Sequence, residues 1–290
     1  MSFVLGTAQF SNNYGISRKY IISNFEVENI LNYAFKNNIN TIDTAMSYGL
    51  AEAILGNNQA DRFKIITKIG LNECSLTTEE KIYEYLYSSV KVSLKKLNIN
   101  KLYGLLLHDE NALLKKNGFK IYNSLEKLKR NGLIDKYGVS FYSSELLLQT
   151  INNFKIDIIQ FPFNLIDQRL IKLNLFNLLN YKNIEIYTRS SFLQGLFFLS
   201  KDNRPKYFKR WASLFNGWDE WLVESKFSPL DVCLSYVAQF NNSINIIIGV
   251  ESSAQLKQIV DYKKINLENM PDFSSDDQKL INPSLWRISS

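Results

Sequence analysis

The chain has 290 residues, a net charge of +6 and 46% hydrophobic residues, among them 19 Phe and 16 Tyr, ample material for one closed core. Its longest apolar runs, such as 244–250, are strand-sized, far short of the roughly 20 residues a membrane span needs. Its Lys and Arg are scattered rather than gathered into a basic stripe, so no nucleic-acid partner is expected.

The N-terminal run Met1-Ser2-Phe3-Val4-Leu5-Gly6 has neither the basic nor the apolar stretch of a secretory signal, so a cytoplasmic protein is expected. Cys74 and Cys233 lie far apart without metal-ligand spacing, and free thiols are the default for such a pair. No Pro/Gly/Ser-rich linker divides the chain, so 1–290 reads as a single domain.

In chain order, short apolar runs at 3–6, 41–43, 64–67, 102–107, 136–140, 156–160, 184–188 and 244–248 predict strands. Helical periodicity fills the intervals 27–36, 51–55, 79–97, 119–130, 144–151, 168–178, 229–238 and 254–262. Thr77-Thr78-Glu79-Glu80 can cap the third helix, and Ser228-Pro229 puts proline at a first helical position. Asn131-Gly132 supplies a stop tolerant of left-handed φ.

Strictly alternating strands and helices imply a parallel sheet, and eight such units predict closure into a (β/α)8 TIM barrel, commonly about 250 residues. The competing open doubly wound sheet would carry a Gly-rich turn after its first strand, and Gly6-Thr7-Ala8-Gln9 is not one. The stretch 200–226, with Trp211, Trp218 and Trp221, breaks the rhythm. It reads as an extra helical pair packed on the barrel or as a loop over its mouth, and the tail beyond Asp261 could fold back near that mouth.

In a barrel, polar residues at strand C-termini face the active site. Asp43 ends the second predicted strand, Lys68 follows the third, His108 ends the fourth, and Tyr48 follows Asp43 in the loop. Each alone has a bland reading as a cap, a solvated cation, a core imidazole or a packing ring, though His108 is the only histidine. Together they make coherent carbonyl chemistry. A carbonyl accepting hydride develops negative charge on oxygen, and a tyrosine can protonate it. A nearby ammonium favours the phenolate, a carboxylate can hold that ammonium, and an imidazole can donate to the substrate oxygen. Neither the histidine nor the cysteines nor the carboxylates show metal-ligand spacing, so no metal is expected.

The run Asn40-Thr41-Ile42-Asp43-Thr44-Ala45-Met46-Ser47-Tyr48-Gly49, with Glu52 and Leu55-Gly56, resembles the signature of the aldo-keto reductase superfamily. Gly6-Thr7-Ala8-Gln9-Phe10 is similar to that family's first-strand motif. Gly138-Val139-Ser140, Gln160 with Asn164, the run Arg189–Gly195 (189–195) and 249–256 are similar to its later cofactor motifs.

The resemblance implies a (β/α)8 barrel that passes hydride directly from a nicotinamide dinucleotide to a small-molecule carbonyl. In its terms Tyr48 is the proton donor, Lys68 activates it, Asp43 supports Lys68 and His108 orients the substrate. It assigns cofactor binding to Gly6, Thr7, Asp43, Ser140, Gln160, Arg189, Ser190, Phe192, Gly249, Glu251, Ser252 and Gln255. NADPH is the cofactor family habit suggests; NADH is the alternative, because the positions where the family places Lys and Arg against a 2′-phosphate fall on Gly249 and Gln255 and Glu251 adds negative charge, with Lys257 as the cation that could compensate. Two further positions depart from the family pattern: Phe141 where an Asn is common, and Arg189 where an aromatic ring is expected under the nicotinamide. The reaction class is thus reduction of an aldehyde or ketone, for instance a sugar derivative. The alternatives are a non-catalytic cofactor-binding regulatory subunit on the same scaffold, or a structural barrel with incidental polar strand ends. The substrate and the oligomeric state are not encoded in any motif.

Overall fold

The computed structural model describes residues 2–11, 22–71, 77–240 and 244–288. Eight parallel strands, β1 (Ser2–Gly6), β2 (Thr41–Asp43), β3 (Lys64–Ile69), β4 (Leu102–Leu107), β5 (Ile134–Ser140), β6 (Ile158–Pro162), β7 (Glu185–Arg189) and β8 (Asn245–Gly249), close into a barrel in sequence order. Closure is made by β1 against β8, with Leu5 opposite Ile248 and Gly6 opposite Gly249. The expected (β/α)8 barrel is the observed fold.

Helices α1 (Asn24–Lys36), α2 (Ala51–Gly56), α3 (Glu79–Leu97), α4 (Gly118–Arg130), α5 (Ser144–Asn153), α6 (Arg169–Lys172), α7 (Leu175–Tyr181), α8 (Ala212–Ser225), α9 (Pro229–Ala238), α10 (Ser253–Val260) and α11 (Gln278–Ile281) follow. The hydroxyls of Thr78 and Ser228 cap α3 and α9, accepting from the amides of Lys81 and Asp231. At the end of α4 only Gly132 takes the left-handed conformation, with φ of 72°.

The helix expected over 168–178 is two helices, because Asn174 adopts φ of 51° between them. Three strands lie later than apolar content alone suggests: β6, β7 and β8 end at Pro162, Arg189 and Gly249. Their polar or small final residues still pair with neighbouring strands, which composition does not report. Lys68 accordingly lies within β3, and His108 falls just past the end of β4.

Side chains alternate across a strand, and this sorts the chain into two cores. One set, including Leu5, Ile65, Leu105, Leu107, Ile159, Ile186 and Ile246, packs outward with the helices. The other, Val4, Ile66, Leu106, Ile158 and Tyr187, fills the barrel interior. Beneath that apolar layer Lys136, Glu185 and Tyr103 form a polar plug, with the Tyr103 hydroxyl donating to Glu185 at 2.9 Å and accepting from Lys136 at 2.9 Å.

The Trp-bearing stretch forms short 3-10 turns followed by α8. Trp218 is buried against Phe197 and Phe273, Trp211 donates to Asp277 at 3.2 Å, and Trp286 meets Phe208 edge-on. The segment and the C-terminal tail therefore stabilise one another. The tail also reaches the loop after β6, where the Ser275 amide donates to the Ile166 carbonyl at 2.9 Å. Cys233 is buried in α9, where burial pushes its thiol up; Cys74 lies outside the described residues. No helix among the described residues is long and apolar enough to cross a membrane.

Two residues of the signature run prove to be structural. Glu52 is buried, accepting from the hydroxyls of Thr67 at 2.8 Å and Ser93 at 2.9 Å, so it ties α2 to β3 and α3. A Cβ on Gly56 would lie 2.0 Å from the carbonyl oxygen of Lys96, so α2 and α3 touch backbone to backbone there. Gly56→Ala must push those helices apart. We expect a loss of about 2 kcal/mol or more, read as a lowered urea midpoint; an unchanged midpoint would show that the contact yields freely.

Candidate active site

The alternation that builds the interior layer also builds the site. Two residues beyond Ile66, Leu106, Ile158 and Tyr187 come Lys68, His108, Gln160 and Arg189. In a pleated strand a step of two returns to the same face, so these polar groups crown the apolar layer at the C-terminal ends of the strands. Asp43, the last residue of β2, joins them.

Lys68 is 2% exposed, and its ammonium lies 2.6 Å from Asp43 Oδ2 and 3.0 Å from the Thr44 carbonyl oxygen. The other Asp43 oxygen accepts from Gln160 Nε2 at 2.7 Å, and the Gln160 carbonyl oxygen accepts from the Ser140 hydroxyl at 3.2 Å. Burial works to lower the Lys68 pKa, but the charges and hydrogen bond on the other side, led by Asp43, outweigh it, and the net direction is upward. The ammonium is therefore held charged beneath Tyr48, 5.1 Å from the centre of its ring.

Tyr48 and His108 meet edge to face, with ring centres 6.5 Å apart. His108 is exposed at the mouth, so its desolvation is partial rather than that of a sealed core. That desolvation, followed by the positive charges of Lys68 and Arg189 and opposed by Asp43, brings its pKa down to about 4. The imidazole is then neutral at physiological pH, with one nitrogen donating and the other accepting.

A cleft of about 560 Å³ opens from this cluster, within the size range of cofactor sites. Of the expected residues, Gly6, Thr7, Asp43, Tyr48, Gln160, Arg189, Ser190, Phe192, Gly249, Glu251 and Gln255 line it. Lys68, Ser140, His108 and Ser252 do not. Lys68 and Ser140 stand behind the wall through the hydrogen bonds above, and the Ser252 hydroxyl caps α10 by accepting from the Gln255 amide at 3.1 Å. Asn164 braces the loops instead, donating to the Ser190 carbonyl at 3.0 Å and accepting from the amides of Ile166 and Asp167.

The motif reading passed over much of the outer lining: Phe198, Leu199, Ser228, Leu230, Gln258 and Ile259. The signal within reach was Ser228-Pro229, since a helix start that follows a barrel strand opens on the mouth. Gly195, in the lining loop after β7, adopts φ of 89°, a conformation for which glycine is suited.

The two departures act together. The Phe141 side chain is fully buried, while its carbonyl accepts from Arg189 Nη2 at 3.0 Å. The Arg189 guanidinium stacks 3.9 Å from the centre of the Tyr142 ring, and no carboxylate among the described residues pairs with it. Tyr142 is itself clamped: its amide donates to Glu110 at 2.6 Å and its carbonyl accepts from Arg169 at 2.5 Å.

A dinucleotide suits this cleft on one specific ground. The Ser191 hydroxyl, in the wall, is buried with no hydrogen-bond partner among the described residues, a state that costs free energy unless a ligand supplies the partner. The first turn of α9 also faces the cleft, turning a positive dipole end toward a phosphate. Among the described residues no group of His, Cys, Asp and Glu is arranged to hold a metal ion.

The structure is thus a closed eight-stranded barrel with a polar crown and a cleft of cofactor size at its C-terminal face. The family model of the aldo/keto reductase family matches residues 2–273, and the chain belongs to that family. It is 29% identical over 131 residues to the D-arabinose 1-dehydrogenase of Saccharomyces cerevisiae, a stretch spanning 42% of this chain and 38% of that enzyme. An aldo-keto reductase from Bacillus halodurans in its holo form has a TM-score of 0.69 at 17% identity, with 99% of this chain and 94% of that one covered. The glycerol dehydrogenase of Gluconobacter oxydans has a TM-score of 0.67 at 20% identity, with 89% of this chain and 85% of that one covered. At such identities the two structures speak for the fold.

The histidine carries a simple test. Its folded pKa lies below the 6.5 of a free imidazole, so the unfolded chain binds more protons between about pH 6.5 and 4. Stability from this group is therefore present above pH 6.5 and lost as pH falls toward 4. The single imidazole should remain neutral in a proton NMR titration at pH 6; a midpoint near 6.5 would show that the cleft leaves it unperturbed.

Proposed function

We propose that this protein is an NAD(P)H-dependent oxidoreductase that reduces an aldehyde or ketone to the alcohol, with Tyr48 as proton donor. The observation that carries the reading is the buried Asp43–Lys68 ion pair set beneath Tyr48 and opposite His108, at the inner end of a cleft of cofactor size. A reduced nicotinamide bound in that cleft supplies the hydride.

The residues then have distinct tasks. A neutral His108 donates its N–H to the substrate carbonyl oxygen and aims it toward Tyr48. As the carbonyl carbon gains the hydride, the oxygen gains negative charge, and the Tyr48 hydroxyl gives it a proton. The phenolate left behind is stabilised by the Lys68 ammonium, and solvent at the mouth reprotonates it. Asp43 keeps that ammonium in place and charged, since an unpaired cation at this depth would shed its proton or move. Gln160 and Ser140 hold Asp43 and present an amide edge for a carboxamide.

A polar substrate such as a sugar or sugar derivative fits the reading. The mouth is open at His108, and the D-arabinose 1-dehydrogenase that the chain resembles over 131 residues is named for a sugar. Assays that pair NADH and NADPH with aldehydes, ketones and sugars, followed at the nicotinamide absorbance, test it directly. Binding of a dinucleotide without turnover of any carbonyl would favour the regulatory alternative.

Tyr48→Phe should lower kcat by about a hundredfold or more while dinucleotide Kd stays within about twofold, because the lost hydroxyl acts in the transition state. A variant that turns over like the parent would end the assignment of Tyr48 as the acid.

A further inference from the structure

The cleft is electrically lopsided. Its inner end holds Arg189, the one cation lining it among the described residues, close enough to Lys68 and His108 to act on both through its charge. Its outer end, between the loop after β7 and α10, is lined by Glu251, Gln255 and Gln258. With a nicotinamide beside Tyr48, the other half of an extended dinucleotide reaches this outer end of the cleft among the described residues.

That outer end is closed to a further phosphate in three ways. Glu251 places an exposed carboxylate in the lining. A second carboxylate, Glu26 of α1, already accepts from the Ser253 amide and, at 2.8 Å, from the Ser253 hydroxyl. That backbone hydrogen bond in particular holds Glu26 below its ordinary range, so it is ionised at neutral pH. Two neighbouring donors are also engaged: the Gln255 amide bonds the Ser252 hydroxyl, and the Glu251 amide bonds the Gln255 side chain at 2.8 Å. A helix start that would attract a phosphate is thus capped from within and flanked by negative charge.

Resting on the reading above, we propose that this protein selects NADH over NADPH, with Glu251 as the specificity-determining residue. The free 2′- and 3′-hydroxyls of an adenosine ribose donate to the Glu251 carboxylate, as acidic residues do toward ribose in dinucleotide folds. A 2′-phosphate in the same place brings acceptor oxygens and about two negative charges against Glu251 and Glu26. The order of preference is then the reverse of family habit, and it arises from charges on β8–α10 and α1 rather than from the catalytic cluster.

The test is equilibrium binding, which does not require turnover. NADH and NADPH are titrated separately into the protein, and Kd is read from quenching of tryptophan fluorescence. NADH should bind at least about tenfold more tightly, the scale of one hydrogen bond to a charged group, and the ratio should shrink as salt is raised. Glu251→Gln should narrow the ratio severalfold, and Glu251→Lys should narrow or invert it by tightening NADPH. NADPH binding as tightly as NADH in the parent, or a ratio unmoved by both substitutions, would overturn the proposal and leave the oxidoreductase reading standing. Failure of both dinucleotides to bind would overturn that reading and this inference together.

Discussion

The two-residue repeat of a pleated strand governs this molecule. In a closed barrel every strand has one inward face, and whatever stands at alternate positions must share a single narrow interior. Here those positions pass from a polar plug at the bottom, through Val4, Ile66, Leu106, Ile158 and Tyr187, to Lys68, His108, Gln160 and Arg189 at the top. The apolar layer separates two polar ends and gives the upper one a dry floor. A one-residue slip of any strand would carry its site residue to the helix side, so the chemistry inherits its geometry from strand register.

On that floor, charge is arranged rather than merely present. A buried ion pair is poor evidence of stability, because desolvation offsets much of its attraction. The Asp43–Lys68 pair is nonetheless held by further hydrogen bonds through Thr44, Gln160 and, beyond it, Ser140. Such a network resists moving. Desolvation above all, with the same positive field and Arg189 added, keeps His108 neutral. One ammonium therefore faces two neighbours: it lies beneath the Tyr48 ring and opposes positive charge on His108.

Arg189 shows how one change is accommodated by another. A guanidinium in the wall of the cleft, without a carboxylate partner among the described residues, needs support. It receives this from the face of Tyr142 and the carbonyl of Phe141, the residue whose side chain departs from the family pattern. Tyr142 is in turn clamped by Glu110 and Arg169, and Arg169 by its buried pair with Asp167. The inner wall is thereby stiffened by groups that never face the cleft, while its outer end depends on the caps of α10.

Much of this was legible in the sequence. The alternation of apolar runs and amphipathic helices specifies a barrel, because period and order are local properties of the chain. The placement of Asp43, Lys68 and His108 near strand ends could be read too, since hydrophobicity falls at those points. What the sequence did not determine is what depends on two distant segments meeting. Glu52 and Gly56 read as parts of a functional signature, yet their tasks are set by Ser93 and Lys96 on another helix. Asn164 reads as part of a cofactor motif, and the loops it braces are visible only in three dimensions. The outer lining, the neutral state of His108 and the carboxylate of Glu26 at α10 all arise from through-space fields and contacts. These fall off with distance in three dimensions, which order along the chain does not record.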